Sequence, residues 1–161
     1  MDIKLRKYKD EDKDQVIKLI TSILKAEFDL EKETYADFDL KNISDVYGGK
    51  RDLFLVAIIG HTVIGTIAIK EDDNNSALLR RVFVSSEFRG IGLGKKLMVK
   101  AIEFCEKNEY SVINFCSTDK MDAANNLCKR NGFTRRACMS LGPVKLLRFA
   151  RRLRQVSRGK E

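Results

Sequence analysis

The sequence is poor in the residues that build disulfide frameworks, metal sites and membrane spans. Its 161 residues include four cysteines and one histidine. The cysteines lie far apart and contain no Cys-x-x-Cys pair, which disfavours a zinc site or a disulfide framework and indicates a reducing cytoplasm. The chain has no N-terminal apolar run and no apolar stretch of about 18 residues, so neither secretion nor a membrane span is predicted. No metal is expected.

Acidic residues are scarce in the last part of the chain. Residues 145–161 hold seven of the 31 lysines and arginines and one of the 23 acidic residues, so this segment carries +6 of the net charge of +8. We divide the chain into a domain of residues 1–143 and a segment 144–161 that forms a last strand, a basic amphipathic tail, or both. A basic tail can bind nucleic acid or an acidic surface, and a solvated terminus is the alternative.

Hydrophobic patterns predict strands and helices that alternate within one domain. The apolar run at 53–59 and its return at 62–69 predict a hairpin. The only histidine, His61, falls at the tip of this hairpin, where catalysis is not expected. Further strands are predicted at 3–7, 78–84, 112–116 and 133–141, and helices at 16–24, 93–107 and 119–131.

The stretch from 78 to 107 organises the rest of the chain. An apolar strand leads through a glycine-rich turn, residues 89–95, into a helix with an apolar residue at every fourth position. Such a turn points several backbone N–H groups outward at the positive end of the helix dipole. Glycine also has no Cβ to block a close approach. The pattern therefore predicts a binding site for an anion such as a pyrophosphate.

The spacing of the glycines excludes two phosphate-binding motifs. A Walker A loop needs glycine where this chain has Arg89 and a hydroxyl where it has Lys96. A dinucleotide fingerprint needs its third glycine at the position of Lys95. The pattern that remains is Arg-x-x-Gly-x-Gly, formed by Arg89, Gly92 and Gly94, and it resembles the acyl-CoA-binding signature of the GNAT superfamily of N-acetyltransferases.

A second motif strengthens this resemblance. Residues 118–127 have the pattern Thr-x-x-Met-x-x-Ala-x-x-Leu, and Gly132 and Phe133 follow, as in the family helix that lies beside the pantetheine arm. The resemblance covers about 140 residues. It implies an α/β (α+β) fold, with a mixed, mostly antiparallel twisted sheet and helices on both faces.

The resemblance also implies a binding site for acetyl-CoA as co-substrate. The residues expected to contact it lie on the central strand, in the glycine turn and on the second-motif helix. They are Val82, Phe83, Val84, Arg89, Gly90, Ile91, Gly92, Leu93, Gly94, Lys95 and Asn125.

The expected catalytic residues depart from the family pattern. The usual glutamate base falls at Leu78, which cannot take a proton, and the usual tyrosine acid falls at Cys128. A thiol with an ordinary pKa of about 8.5 can donate a proton, although a cysteine on an apolar helix face also serves in packing. We assign the acid to Cys128 and the base to Glu71. The alternative bases are Asp72, Asp119, Glu33 and Tyr35.

The acceptor is expected to meet an acidic and aromatic segment. Residues 26–45 contain seven acidic residues and two lysines, and this region forms the substrate-side lid in the family. Phe28, Glu33 and Tyr35 are the expected substrate contacts. An acidic lid would favour a cationic amine, and a solvated helical face is the alternative.

The sequence thus predicts an N-acetyltransferase that moves an acetyl group from acetyl-CoA to a primary amine, by direct attack in a ternary complex. The amine can belong to a small molecule or a protein. Two alternatives remain, a non-catalytic acyl-CoA-binding regulatory protein and a basic-tailed nucleic-acid-binding module. A homodimer is left open.

Overall fold

The computed structural model describes residues 2–28 and 38–154, and for Phe28 and Leu141 the backbone alone. These residues form seven strands, five α-helices and two short 3-10 helices, at Asp10–Asp12 and Ser86–Phe88. The strands are β1 (Ile3–Lys7), β2 (Leu53–Ile59), β3 (Thr62–Glu71), β4 (Ser76–Val84), β5 (Val112–Thr118), β6 (Thr134–Leu141) and β7 (Val144–Arg152). The helices are α1 (Lys13–Phe28), α2 (Phe38–Lys41), α3 (Ile43–Val46), α4 (Leu93–Lys107) and α5 (Asp122–Arg130).

The strands form one sheet in the order β1-β2-β3-β4-β5-β7-β6. All neighbouring pairs are antiparallel except β4 and β5, which run parallel. This arrangement confirms the predicted mixed, mostly antiparallel sheet. The parallel pairing extends only from Ser76 opposite Val112 to Leu78 opposite Asn114, although both strands continue. The sheet therefore opens between β4 and β5 beyond Leu78.

Helices cover both faces of the sheet, as the sequence predicts. The apolar stripe of α4, including Leu97, Met98 and Cys105, packs with α5 residues against one face. Val16 and Ile20 of α1 pack with residues of α2 and α3 against the other face. These five side chains are fully buried, which explains why a period of 3.6 residues was visible in the sequence. No helix of the described residues is long and apolar enough to cross a bilayer.

The basic segment near the end of the chain contributes an interior strand. Strand β7 pairs with β5 on one side and β6 on the other, and it buries Leu147 and Phe149. Arg151 lies beside them and donates through Nη1 to the carbonyl oxygen of Asn131 at 2.6 Å. Residues as far as Arg152 are thus part of the sheet. The expected tail beyond residue 154 lies outside the described residues.

Candidate active site

The glycine turn places open space in front of the first turn of α4. Gly92 is the N-cap residue of α4, with φ of 84°, and Gly90 has φ of 81°. A Cβ built on either residue would meet no other atom within 4 Å. The N-terminal N–H groups of α4 therefore face a space that backbone and side chains leave clear, at the end of the helix that favours negative charge.

A cleft of about 520 Å³ lies between this turn, the end of β4 and the helix α5. It brings together nine of the residues expected to contact the co-substrate. These are Val82, Phe83, Val84, Arg89, Gly90, Gly92, Leu93, Gly94 and Lys95. We call this space the first cleft.

Two of the expected contacts, Ile91 and Asn125, do not line the first cleft. Ile91 is 48% exposed in the turn. Asn125 is buried and accepts a hydrogen bond from Ser117 Oγ at 2.6 Å, while its Nδ2 donates to the carbonyl oxygen of Thr118 at 2.9 Å. The Asn125 side chain thus fastens α5 to β5.

The next residue along the helix, Asn126, is the one that faces the first cleft, because each helical residue is rotated by about 100°. Sequence reasoning also missed other lining residues of the α5 region. They are Met121, Ala123, Ala124, Leu127, Arg130 and Asn131. Their spacing along the second motif was the signal that could have found them.

Arg89 is paired with a carboxylate at the edge of the first cleft. Its Nη1 and Nη2 donate to the two carboxylate oxygens of Glu27 at 2.9 and 2.7 Å, and its Nε donates to the carbonyl oxygen of Val84 at 3.0 Å. Both side chains are about one-third exposed. The pair ties the C-terminal turn of α1 to the glycine turn.

A second cleft, of about 440 Å³, fills the opening between β4 and β5. It shares Val82, Phe83 and Met121 with the first cleft, so the two spaces meet at the end of β4. Leu78 is one of its lining residues, and no aspartate or glutamate among the described residues lines it. Its remaining lining residues are Leu24, Leu79, Arg80, Arg81, Phe115, Cys116, Ser117, Thr118 and Leu146.

A β-bulge lies where the two clefts meet. The register between β3 and β4 shifts between Thr66 and Ala68, and Arg81 has a φ of 53°. Nε and Nη2 of Arg81 donate to the two carboxylate oxygens of Asp39 at 2.9 and 2.6 Å. The Tyr47 hydroxyl donates to Asp39 Oδ2 at 2.7 Å.

This buried group keeps Asp39 charged. Burial alone would raise the pKa of Asp39, but the hydrogen bonds and the positive charge of Arg81 outweigh it and hold that pKa below its usual value. The same burial, together with Asp39, raises the pKa of Tyr47. The group fixes α2 and α3 to the bulge of β4, and so sets one wall of the second cleft.

Cys128, the expected acid, lies in the core and lines neither cleft. It is 1% exposed, and burial raises the pKa of its thiol to about 12. A thiol with such a pKa is a weak proton donor. The structure favours the packing role of Cys128 that the sequence left open.

Glu71, the expected base, is also away from both clefts. It ends β3 at the opposite end of β4 from the glycine turn, and its Oε2 accepts from Arg51 Nη1 at 2.9 Å. The alternative bases Asp72 and Asp119 hydrogen-bond to Ser76 and to the backbone of Lys145. The structure thus brings none of these three carboxylates to the clefts.

The expected substrate contacts are not described. Glu33 and Tyr35 lie outside the described residues, and of Phe28 the structure describes the backbone alone, at the end of α1. The neighbouring Glu27 does line the first cleft. The expectation of an acidic lid stays a prediction.

Fold and clefts together define an α/β protein in which a glycine turn at a helix N-terminus faces a cleft that continues into the opening of the sheet. The model of the acetyltransferase (GNAT) family matches residues 17–133, and the chain belongs to this family.

Curated relatives match half of the chain. The chain is 39% identical to the N-acetylaspartate synthetase of Danio rerio over 83 residues, and this match covers 51% of the chain and 29% of that protein. It is 38% identical to the human N-acetylaspartate synthetase over 82 residues, and this match covers 50% of the chain and 27% of that protein. The matched region is thus less than a third of these relatives' length.

Solved structures match almost the whole chain. A GNAT acetyltransferase from Staphylococcus aureus Mu50 superposes with a TM-score of 0.85 at 28% identity, covering 95% of this chain and all of that one. The paia N-acetyltransferase from Thermoplasma acidophilum, solved in complex with coenzyme A, superposes with a TM-score of 0.78 at 21% identity, covering 95% and 100%. The likeness to the second structure shows the fold alone.

Proposed function

We propose that the chain is an acetyl-CoA-dependent N-acetyltransferase that acts on a primary amine. The observation that carries this proposal is the left-handed glycine turn at the start of α4, which faces a cleft that continues into the opening between β4 and β5. Family membership and the named activities of the relatives support it.

The first cleft suits the two chemical parts of coenzyme A. The N-terminal N–H groups of α4 provide hydrogen-bond donors and positive charge for a pyrophosphate, and Lys95 and Arg130 also line the first cleft. Other parts of the lining are apolar, among them Val84, Ala124 and Leu127, as an extended pantetheine arm requires. When bound, acetyl-CoA supplies an activated thioester.

The opening of the sheet provides the place for attack. Strands β4 and β5 do not pair beyond Leu78. The backbone N–H groups of β4 that point toward β5 therefore lie along the second cleft. Such donors stabilise negative charge that develops on a carbonyl oxygen. In the transfer, the amine nitrogen bonds to the thioester carbonyl carbon, the carbon–sulfur bond breaks, coenzyme A leaves as the thiol, and one proton passes to solvent.

The amine must lose a proton without a carboxylate in the described lining of the second cleft. Arg80 and Arg81 line that cleft, and after pairing with the single carboxylate of Asp39 they keep a net positive charge. A nearby positive charge disfavours an ammonium and lowers its pKa. We propose that water takes the proton, helped by this positive charge.

The test is calorimetric titration with acetyl-CoA, followed by detection of N-acetyl product and free coenzyme A by mass spectrometry against a panel of amines. A thiol reagent is unsuitable, because Cys116 and Cys138 are exposed and would react. We expect micromolar binding and product formation that depends on the amine. Absence of binding would contradict the proposal.

A non-catalytic acyl-CoA-binding protein is the second candidate. It is favoured by Leu78 at the expected base position and by the burial of Cys128. Binding of acetyl-CoA without product formation from any amine would select it.

A further inference from the structure

Part of the sheet carries a basic open face next to the second cleft. Cys116 of β5 and Arg148 of β7 are directly opposite each other in the register, and Ala137 of β6 is opposite Arg148. All three side chains are exposed, and so is that of Arg152 on the same face. We call this surface of β5, β7 and β6 the open face.

The charge of the open face is of one sign. No acidic residue lies on the three strands, and Arg148 and Arg152 of β7 present their charges on the open face. A shallow groove on this face is lined by Arg136, Arg148 and Arg152. None of these guanidinium groups forms an ion pair with a carboxylate of the described residues.

Register places two arginines on either side of the opening between β4 and β5. Leu78 is opposite Asn114, so Arg80 and Cys116 each lie two residues further along their strands on the same face. Arg148 is one strand spacing, about 4.8 Å, beyond Cys116. Arg80 and Cys116 line the second cleft directly. The cleft is therefore flanked by Arg80 from β4 and by Arg148 from β7.

Arg80 is held by Asp39 less closely than Arg81 is. Both carboxylate oxygens of Asp39 already accept hydrogen bonds from Arg81 at 2.6 and 2.9 Å, and Tyr47 adds another at 2.7 Å. Arg80 forms a longer ion pair with Asp39, with its Nη2 3.8 Å from Asp39 Oδ2 and beyond hydrogen-bond distance, and its side chain is 38% exposed. Arg80 can therefore donate hydrogen bonds to a second anion at the surface of the cleft.

We infer that the acceptor is an amine that also bears a carboxylate, with the carboxylate bound by Arg80 and Arg148 and the amine directed toward Val82 and Phe83. This inference rests on the proposed function and names its substrate class. Arginine binds carboxylates through two parallel hydrogen bonds, which fixes orientation as well as position. The same positive charges repel polyamines and lower the pKa of the acceptor ammonium.

The experiment compares acceptors of graded charge at saturating acetyl-CoA. The panel is L-aspartate, L-asparagine, asparaginamide, an acidic tetrapeptide with a free N-terminus and an amidated C-terminus, and spermidine. We expect kcat/KM to fall from aspartate through asparagine to asparaginamide, with spermidine lowest. A higher value for the tetrapeptide than for aspartate would assign the same carboxylate site to a polypeptide acceptor.

Variants identify the residues that bind the carboxylate. Arg80→Gln and Arg148→Gln should each lower kcat/KM for aspartate about 10- to 100-fold, mainly through KM. For asparaginamide, Arg148→Gln should leave kcat/KM nearly unchanged, and Arg80→Gln should lower it less than for aspartate and through kcat, because the Arg80 charge also lowers the pKa of the acceptor ammonium. Arg80→Lys should restore part of the loss. The matched control is Arg152→Gln, on the same strand and face but beside Val112, which should change kcat/KM less than twofold. Circular dichroism verifies that each variant is folded.

Three results separate this inference from the proposed function. Faster acetylation of spermidine or asparaginamide than of aspartate would overturn the inference and leave the N-acetyltransferase standing. Equal losses for all amines in Arg80→Gln would also overturn it, because the role would then be structural. If no amine is acetylated, calorimetric titration of aspartate into the protein with bound coenzyme A tests the carboxylate site by itself. Binding that Arg80→Gln abolishes supports the carboxylate site although the transferase proposal fails, and no binding overturns both.

Discussion

Gly92 combines a left-handed backbone conformation with open space beside its Cα. Any other residue type would be strained there and would place a side chain in that space. The Gly92 φ of 84° lies in the left-handed region, and a Cβ there would occupy open space at a residue that lines the first cleft. Gly60 at the hairpin tip is similar in both respects, with φ of 62° and no atom within 4 Å of an added Cβ, but it lies away from the cleft. The two glycines therefore make a matched pair.

Gly92→Ala should lower the affinity for acetyl-CoA at least tenfold, because the methyl group occupies the space that an anion needs beside the α4 N-terminus. Both Gly92→Ala and Gly60→Ala should lose about 1–2 kcal/mol of unfolding free energy from the left-handed conformation. Calorimetry and urea denaturation measure the two effects. Unchanged affinity in Gly92→Ala would exclude the glycine turn as the anion site.

Cys128 provides a second comparison of paired residues. It and Cys105 are both buried, at 1% and 0% exposure, and burial raises the pKa of each thiol to about 12. Each substitution to alanine should cost about 1–2 kcal/mol by leaving a small cavity. Turnover should stay within twofold of the original in both variants. A tenfold loss of kcat in Cys128→Ala alone, measured with product detection, would restore the acid role.

At the scale of elements, the pairing of β7 shows whether residues 144–152 belong to the core or to a solvated tail. Its apolar residues fit both a strand and a helix, and its arginines suggest a solvated segment, so the sequence left both readings open. Pairing with β5 and β6 selects the strand, since Leu147 and Phe149 face the core while Leu146 and Arg148 face solvent.

Phe149→Ala should therefore lower the unfolding free energy by about 3–5 kcal/mol, as expected for a fully buried aromatic residue. Leu146→Ala, on the same strand but 38% exposed, should cost less than about 1 kcal/mol. Urea denaturation of the two variants gives the comparison. Equal and small losses would mean that residues 144–152 are not part of the core.

Local patterns predicted most elements but not the long-range contacts of the site. Helix α4 and the hairpin of β2 and β3 follow from apolar periodicity, and the glycine turn follows from spacing. The pairs Arg81 with Asp39 and Arg89 with Glu27 join residues 42 and 62 positions apart. No periodicity encodes such contacts. For the same reason, the choice of Asn126 rather than Asn125 as the cleft residue needed the rotation of α5 about its axis.

At the scale of the whole molecule, buried acids set the response to alkaline pH. The folded-state pKa values of Cys105 and Cys128 are raised from 9.0 to about 12, and burial also raises those of Tyr47 and Tyr110. Between these values the unfolded chain has lost protons that the folded chain retains. The part of the unfolding free energy that these groups contribute is fully present below about pH 9 and is lost as pH rises toward 12.

Urea midpoints measured with a reductant at pH 8, 9.5 and 11 should therefore decrease, and each thiol contributes up to about 1.4 kcal/mol per pH unit. The double variant Cys105→Ala, Cys128→Ala should show a shallower decrease. An identical slope in the variant would mean that the two thiols titrate normally in the folded protein.

The charges on the sheet edges govern how copies of the molecule meet in solution. The described sheet ends in β1 and β6, which carry Lys4 and Lys7 on one edge and Arg135 and Arg136 on the other, and a bulge interrupts β6 after Arg135. Exposed edges invite strand addition from a second chain, and like charges with a bulge oppose it. Edge-to-edge growth is therefore resisted by electrostatic repulsion, so concentrated salt, which screens this repulsion, should promote self-association and shorten the shelf life of the protein.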